Sequence, residues 1–183
     1  MPSAVLHCMT TADKKLKELD ELIDGIETAM LTTRRADGHL ASRPMATQKR
    51  ISDADLWFVT NTDTHKLDEI EMDPHVNCAY YNPRTREWVS VSGVAHVSRN
   101  RRRIKTLYEP DWKIWFRDEG GKRGGGRDDP RIALIFVDID SVIYMKHDKP
   151  KPVILWEAIK SKVTGRPPDA GEVRQIGGGE LMD

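Results

Sequence analysis

Apolar positions recur along this chain in two rhythms, and each change of rhythm marks a new element. In "TTADKKLKELDELIDGIE" Leu16, Leu19, Ile23 and Ile26 share one face at helical spacing, which predicts an amphipathic helix capped by Thr10 or Thr11. "AMLTTRRADGHLASRPMATQ" reads as two strands around "ADG", a good hairpin turn because Gly38 can take positive φ. "ADLWFVT" is a further strand, and "THKLDEIEMD" a helix that starts at a Thr64 cap and stops before Pro74. "HVNCAYYN" and "EWVSVSGVAHVS" are strands joined by "PRTR". In the second, Val89, Val91, Gly93, Ala95 and Val97 alternate with the other face, and Gly93 signals a bulge or a close backbone approach.

"RNRRRIKTLYEPDWKIWF" predicts a short basic helix, a break at Pro110 and another helical turn. "EGGKRGGGRDDP" predicts a flexible loop, and "RIALIFVDIDSVIYMK" one or two strands without a helical stripe. "VILWEAIKSKVTG" predicts a helix closed by Gly165, with Pro167 and Pro168 just beyond, and the tail "GGGELMD" is expected to fray. The sum is six to eight short antiparallel strands with helices in the crossovers and at the ends. That order is not the alternation of a doubly wound sheet, so the expected fold is mainly β, a small antiparallel barrel decorated with helices. One domain over residues 1–183 is expected, with its core in 10–165 and a tail over 166–183. No internal repeat is visible.

Composition narrows this picture modestly. Lys+Arg and Asp+Glu are equal at 29 each among 183 residues, which argues against a protein whose main task is coating nucleic acid. The two cysteines, Cys8 and Cys78, match no metal or disulfide spacing and suit a reducing compartment. No apolar run approaches a membrane span, and "MPSAVLHCMTTADKK" lacks a basic lead region and a cleavage site. The expectation is a cytoplasmic protein with no membrane partner. Its neutral charge permits a dimer.

The chemistry begins at "FVTNTDTHK", where a strand ends in hydroxyls, an amide and a lysine. A loop and a helix cap would account for it, and so would a seat for an anion: free N–H groups near Thr64, the Thr60 and Thr64 hydroxyls, and Lys66. Arg43 in "ASRPMAT" precedes Pro44, which cannot donate a ladder bond, so one side of this strand faces an edge or something other than a strand. Taken alone, an ordinary edge with a solvated arginine is the simpler reading. If the strands at 40–47 and 55–60 are neighbours, Arg43 comes close to the 60–66 turn and the pieces make a phosphate cradle.

At this point "SRPMATQ", "LWFVTNTDTHKLDEIEMDPHVNCAYYNP", "WVSVSGVAHV" and "WKIWF" followed by "DDP" closely resemble the general stress protein 26 group. That group belongs to the pyridoxamine 5′-phosphate oxidase-like, FMN-binding split-barrel superfamily, and the resemblance runs from about Leu16 to Val163. It implies a split β-barrel and a homodimer with FMN, or FAD as the alternative, held between subunits. Arg43 matches the arginine that binds the flavin phosphate. Met45, Ala46 and Thr47 match the strand lying along the isoalloxazine ring, and Val59 and Thr60 the end of the next strand. Thr64, His65 and Lys66 match the phosphate-binding turn. Trp88 falls where the oxidases carry a glutamine reaching the flavin from the partner subunit, and Met145 where they carry a tryptophan. The oxidases' C-terminal Arg-x-His element has no counterpart after residue 140, so turnover of pyridoxamine phosphate is expected to be negligible.

Trp112 and Trp115, three apart, either cover the barrel or stack on a ligand ring beside Lys113; the resemblance places them at the mouth of the flavin cleft. "RNRRRIK" reads as a solvated helical turn rather than a nucleic-acid contact, having no interleaved aromatics. His65 and Glu69, four apart, read as a surface pair rather than metal ligands. Two functions remain: a flavin-dependent oxidoreductase of unknown substrate, and a non-catalytic flavin-binding or sequestering stress protein. A nucleic-acid or protein interaction module is the outsider.

Overall fold

The computed structural model describes residues 11–51, 55–147 and 172–177, with side chains from residue 17 onward in the first segment and from 173 in the last. In chain order the elements are α1 (Thr11–Asp24), β1 (Thr28–Arg34), β2 (Leu40–Ala46), β3 (Leu56–Asn61), α2 (Lys66–Met72), β4 (His75–Tyr81), β5 (Trp88–Ser98), α3 (Arg101–Leu107), a 3-10 turn over Pro110–Trp115, β6 (Ile132–Lys146) and β7 (Glu172–Gly177). The helix expected at "VILWEAIKSKVTG" lies outside the described residues. Strand β7 forms within the segment expected to be tail.

All strand pairings are antiparallel, in the order β2-β1-β4-β5-β6-β3, with β7 also beside β6. Strand β6 splits one of its edges between two partners: Ile132–Val137 pairs with β3 and Ser141–Lys146 with β7. Its other edge runs along β5, where the register slips between Ser92 and Gly93. A Cβ at Gly93 would stand 2.2 Å from the Asp138 carbonyl oxygen, so glycine is what lets the two backbones cross at the bulge.

The end strands then meet. Thr47 bridges Phe58, and the Gln48 N–H donates to the Trp57 carbonyl at 3.1 Å. The sheet is thus drawn into a barrel by a short seam. The strands at 40–47 and 55–60 are neighbours only there, because β2 pairs along its length with β1 and β3 with β6. Beyond the bridge, the outer edge of β2 takes no ladder partner among the described residues. The "ADG" hairpin forms as expected, with Gly38 at φ 83°.

Two cores explain the strand patterns. Alternate residues Leu56 and Phe58 of β3, Val89, Val91 and Ala95 of β5, and Ala133, Ile135 and Val137 of β6 fill the barrel, joined by Leu19, Leu22 and Ile23 of α1 and Leu67 and Ile70 of α2. Trp57, Ile132, Leu134 and Phe136 point the other way, into a second core with Ile104, Trp112 and Phe116. Both faces of early β6 are therefore covered, which is why its sequence shows no alternation.

The basic helix α3 is largely solvated as expected, with Arg99, Asn100, Arg102 and Lys105 exposed, but several of its side chains are also tied to the fold. Asn100 caps it through Arg102 and Arg103 N–H, while Arg101 donates to the Ile132 and Asp129 carbonyls at 2.9 and 2.7 Å. Arg103 lies over the Phe136 ring at 3.7 Å, Arg99 pairs with Glu71, and Lys105 with Asp128. The glycine-rich loop is likewise held. Arg131, 2% exposed, binds both Asp129 oxygens, Glu119, and the Arg117 and Arg123 carbonyls, and Asp129 also accepts from Gly125 N–H. Burial alone would raise the Asp129 pKa, but these hydrogen bonds outweigh it and bring it down to about 2.

Candidate functional site at the β3–α2 turn

Strand β3 ends at Asn61 because its own side chain takes over the backbone: Asn61 Oδ1 accepts from Asp63 N–H at 2.8 Å. The Arg131 carbonyl receives the Thr62 N–H at 2.7 Å, so the turn is tied to the buried arginine of the glycine-rich loop. Thr64 does not cap α2. Its hydroxyl donates back to the Asn61 carbonyl at 2.7 Å, and His65 stands at the cap position with no side-chain bond. Helix α2 is seven residues long, so side chains rather than a helix dipole make the site.

Lys66 turns back over the loop and donates from Nζ to Thr60 Oγ1 and Thr64 Oγ1, each at 3.0 Å. Burial, then the nearby Arg43 charge, lower its pKa below the ordinary lysine value, with Glu69 opposing. Arg43 reaches across from β2, with Nη1 to Thr33 Oγ1 at 2.5 Å and Nη2 to Glu69 Oε2 at 2.8 Å. Thr33 in turn donates to Glu69 at 2.5 Å. Burial would raise the Glu69 pKa, but the Thr33 and Arg43 bonds lower it, so it stands ionised beside two cations. Arg35, Ala41, Arg43, Thr64, His65, Lys66 and Glu69 line an open cavity of about 690 Å3.

Of the residues singled out in the sequence, Arg43, Thr64, His65 and Lys66 meet at this cavity, and Thr60 supports it through Lys66. Met45 is buried in the barrel core, Thr47 makes the seam bridge and shares a 3.0 Å hydrogen bond with Tyr80, and Ala46 lies between them on β2. Val59 packs on the second core. Trp112 is 1% exposed and donates from Nε1 to Gln48 at 3.0 Å, so it covers the barrel. Trp115, at the end of the same turn, is 61% exposed, and Lys113 lies between them. Trp88 sits elsewhere, directly paired with Tyr81 on β4 and Met145 on β6.

The sequence reading missed Thr33, Arg35 and Glu69 as parts of one cluster. A signal existed for two of them. The inward alternation Ala29, Leu31, Thr33 puts a hydroxyl at the end of an apolar row, and Glu69 lies one turn from Lys66. Among the described residues no helix is long and apolar enough to cross a membrane, and no three His, Cys, Asp or Glu side chains are placed to hold a metal ion. Cys78 is buried in the barrel, and burial pushes its thiol up to about 12, which makes it a poor nucleophile.

The family profile described as pyridoxamine 5′-phosphate oxidase like matches residues 14–169, most of the chain. The chain belongs to that family. Protein bli-3 of Neurospora crassa is 33% identical over 173 residues, covering 93% of this chain and 83% of that protein. Among solved structures, a Clostridium acetobutylicum protein related to general stress protein 26 shares the fold at a TM-score of 0.62 and 19% identity, over 74% of this chain and 91% of that one. The general stress FMN/FAD binding protein of Xanthomonas citri does so at a TM-score of 0.60 and 24% identity, over 75% and 92%. The fold is the split barrel of the pyridoxamine 5′-phosphate oxidase-like proteins, as expected from the motifs.

Proposed function

We propose that this chain is a flavin-binding protein of the general stress protein 26 type that holds FMN by its phosphate, with Arg43 and Lys66 as the two cations and Thr60 and Thr64 setting the lysine. The observation that carries the reading is the Arg43–Lys66 pair at the mouth of an open cavity. Arg43 uses two of a guanidinium's five N–H donors on Thr33 and Glu69, which leaves donors for an anion. The outer edge of β2 at Met45 and Ala46, unladdered up to the Thr47 bridge, and the end of β3 at Val59–Thr60 border the seam, where a planar ring finds backbone groups to bond. Family membership and the Xanthomonas citri relative's FMN/FAD binding support the choice of flavin.

The working unit is a homodimer in this reading. Tyr81, Trp88, Met145 and Val173 form one cross-strand row over four strands, with Tyr81 58% and Val173 59% exposed, and Met30 and Ile143 stand in the next row with Ala79 and Ser90 between them. A contiguous apolar patch on a sheet face is a surface for another copy. Trp88 and Met145 would then face the second subunit, and Lys113 and Trp115, beside the buried Trp112, would border the cleft.

A bound flavin supplies hydride or electron transfer through its ring, and the protein binds and orients it. A cytoplasmic flavin-dependent oxidoreductase of unknown substrate is the fuller form of the proposal. The sequestering alternative has its own support: Glu69 and Lys66 are both engaged within the cradle, which leaves neither as a proton shuttle. Steady NAD(P)H-dependent flavin reduction would favour the oxidoreductase, and stoichiometric binding without turnover the sequestering protein. The founding test is an absorption spectrum after FMN addition and gel filtration. Flavin retained near one per chain supports the cradle; a colourless protein refutes it.

A further inference from the structure

Glu69 is the member of the cradle that an anionic ligand does not need. Arg35, Arg43 and Lys66 bring three positive charges to one cavity, and Glu69 is the single carboxylate among its lining residues. It is already seated where a phosphate oxygen would bond. Its Oε2 takes the Arg43 Nη2 donor at 2.8 Å and the Thr33 hydroxyl at 2.5 Å, and Thr33 is 1% exposed. The Glu69 side chain is itself only 11% exposed, so charge effects across this contact are weakly screened by water.

A carboxylate in that place does two opposite things. While the cavity is empty, it offsets one of three like charges that would otherwise repel within a single site. The charged groups around it come from three directions: Arg43 on β2, Arg35 in the β1–β2 turn, and Lys66 on its own helix, with His65 at the helix start. Burial raises the Glu69 pKa, but the Thr33 and Arg43 hydrogen bonds and the Arg43 and Arg35 charges outweigh it and keep the group ionised. When an anion enters, the same carboxylate becomes a like charge beside it. A phosphomonoester, with about 1.5–2 negative charges near neutral pH, meets that opposition most strongly.

We infer, resting on the phosphate cradle of the reading above, that Glu69 is a built-in competitor: it occupies Arg43 while the cradle is empty and opposes the ligand phosphate on arrival. The site thereby holds its phosphate less tightly than its three cations would allow, and keeps its empty form folded. Such a cradle suits a ligand that exchanges.

The test is calorimetric titration of the full chain, freed of flavin, with FMN, riboflavin and inorganic phosphate, for wild type and Glu69→Gln. The glutamine keeps an acceptor for Thr33 and Arg43 and removes the charge. Near pH 7.5 it should tighten FMN and inorganic phosphate by about tenfold, the equivalent of one pKa unit imposed by a like charge, and leave riboflavin within about twofold. The gap should narrow toward about pH 5. A bound phosphate raises the pKa of Glu69, so the wild type takes up a proton on binding and gains affinity as pH falls, and the variant does not. The titration of the phosphate itself and the contribution of His65 are common to both proteins and cancel in the ratio. The empty variant should melt below the wild type, and FMN, but not riboflavin, should restore most of the difference. That rescue is readable even where the empty variant is largely unfolded.

A variant that binds FMN and phosphate no more tightly than wild type, or that tightens riboflavin equally, makes Glu69 a structural tie. Either result overturns the inference and leaves the flavin reading intact. Tighter inorganic phosphate in a chain that binds neither FMN nor riboflavin keeps the inference and overturns the flavin reading. Failure of all three to bind overturns both.

Discussion

Arg131 and Arg43 each face a carboxylate, yet one places its guanidinium wholly inside the protein and the other does not. Arg131 makes five hydrogen bonds to Asp129, Glu119 and two carbonyls, and its side chain and that of Asp129 are 2% and 0% exposed. Arg43 bonds only Thr33 and Glu69, keeps 24% of its side chain accessible, and borders a cavity. A saturated, closed pair holds a loop in place. A cation with donors left over, beside a second cation that burial has already made costly to charge, is waiting for an anion. The two are also joined, because the Arg131 carbonyl accepts from Thr62 in the turn that carries Lys66.

If that contrast is right, the largest effect of any substitution on stability belongs to the closed pair. Asp129→Asn leaves buried Arg131 with only the half-exposed Glu119 as a counter-charge and should cost about 3 kcal/mol in urea unfolding. The folded Asp129 pKa of about 2 lies below its ordinary 3.8, so its contribution is complete above that value and is lost as pH falls toward 2. The difference between wild type and variant should narrow over that interval. A variant as stable as wild type would remove the distinction drawn here.

The open cluster should behave in the opposite way. Lys66→Met is expected to weaken FMN by about 1.5–3 kcal/mol, the range for a charged hydrogen bond, with riboflavin affinity and unfolding midpoint nearly unchanged. Equal losses for both ligands would mean that Lys66 does not meet the phosphate. A subtler effect follows from its lowered pKa: FMN affinity should decline on the alkaline side below pH 10.5, as the lysine of the empty cradle loses its proton. Lys66→Arg should flatten that decline, and riboflavin should show none. Smallest of all is Arg123→Ala, which breaks exposed pairs with Glu119 and Asp63 and should change stability by under about 1 kcal/mol, with FMN affinity held.

The barrel was legible because its signals are local. Alternation in "EWVSVSGVAHVS", the "ADG" turn and Pro74 each constrain a few adjacent residues, and Gly93 marked its own bulge. Arg43, Thr64, His65 and Lys66 were legible as chemistry because residue type and order carry it. What stayed hidden depends on chain crossings. Nothing near Arg43 in sequence announces that Glu69, 26 residues on, will hold it, nor that the ends of β2 and β3 meet only in a short seam at Thr47–Gln48 and Trp57–Phe58. The glycine-rich loop read as flexible because its anchor, a buried ion pair between Asp129 and Arg131, looks in sequence like any charged stretch. Thr64 read as a cap because hydroxyls before helices usually are caps; here Lys66 and the Asn61 carbonyl claim it instead.

The most direct test of the central claim is the affinity of the wild-type chain for FMN against riboflavin, measured side by side by titration. Two charged contacts to the phosphate predict FMN binding tighter by about a hundredfold or more. Equal affinities would contradict the account, and would make Arg43 and Lys66 a structural cluster of the same kind as Arg131.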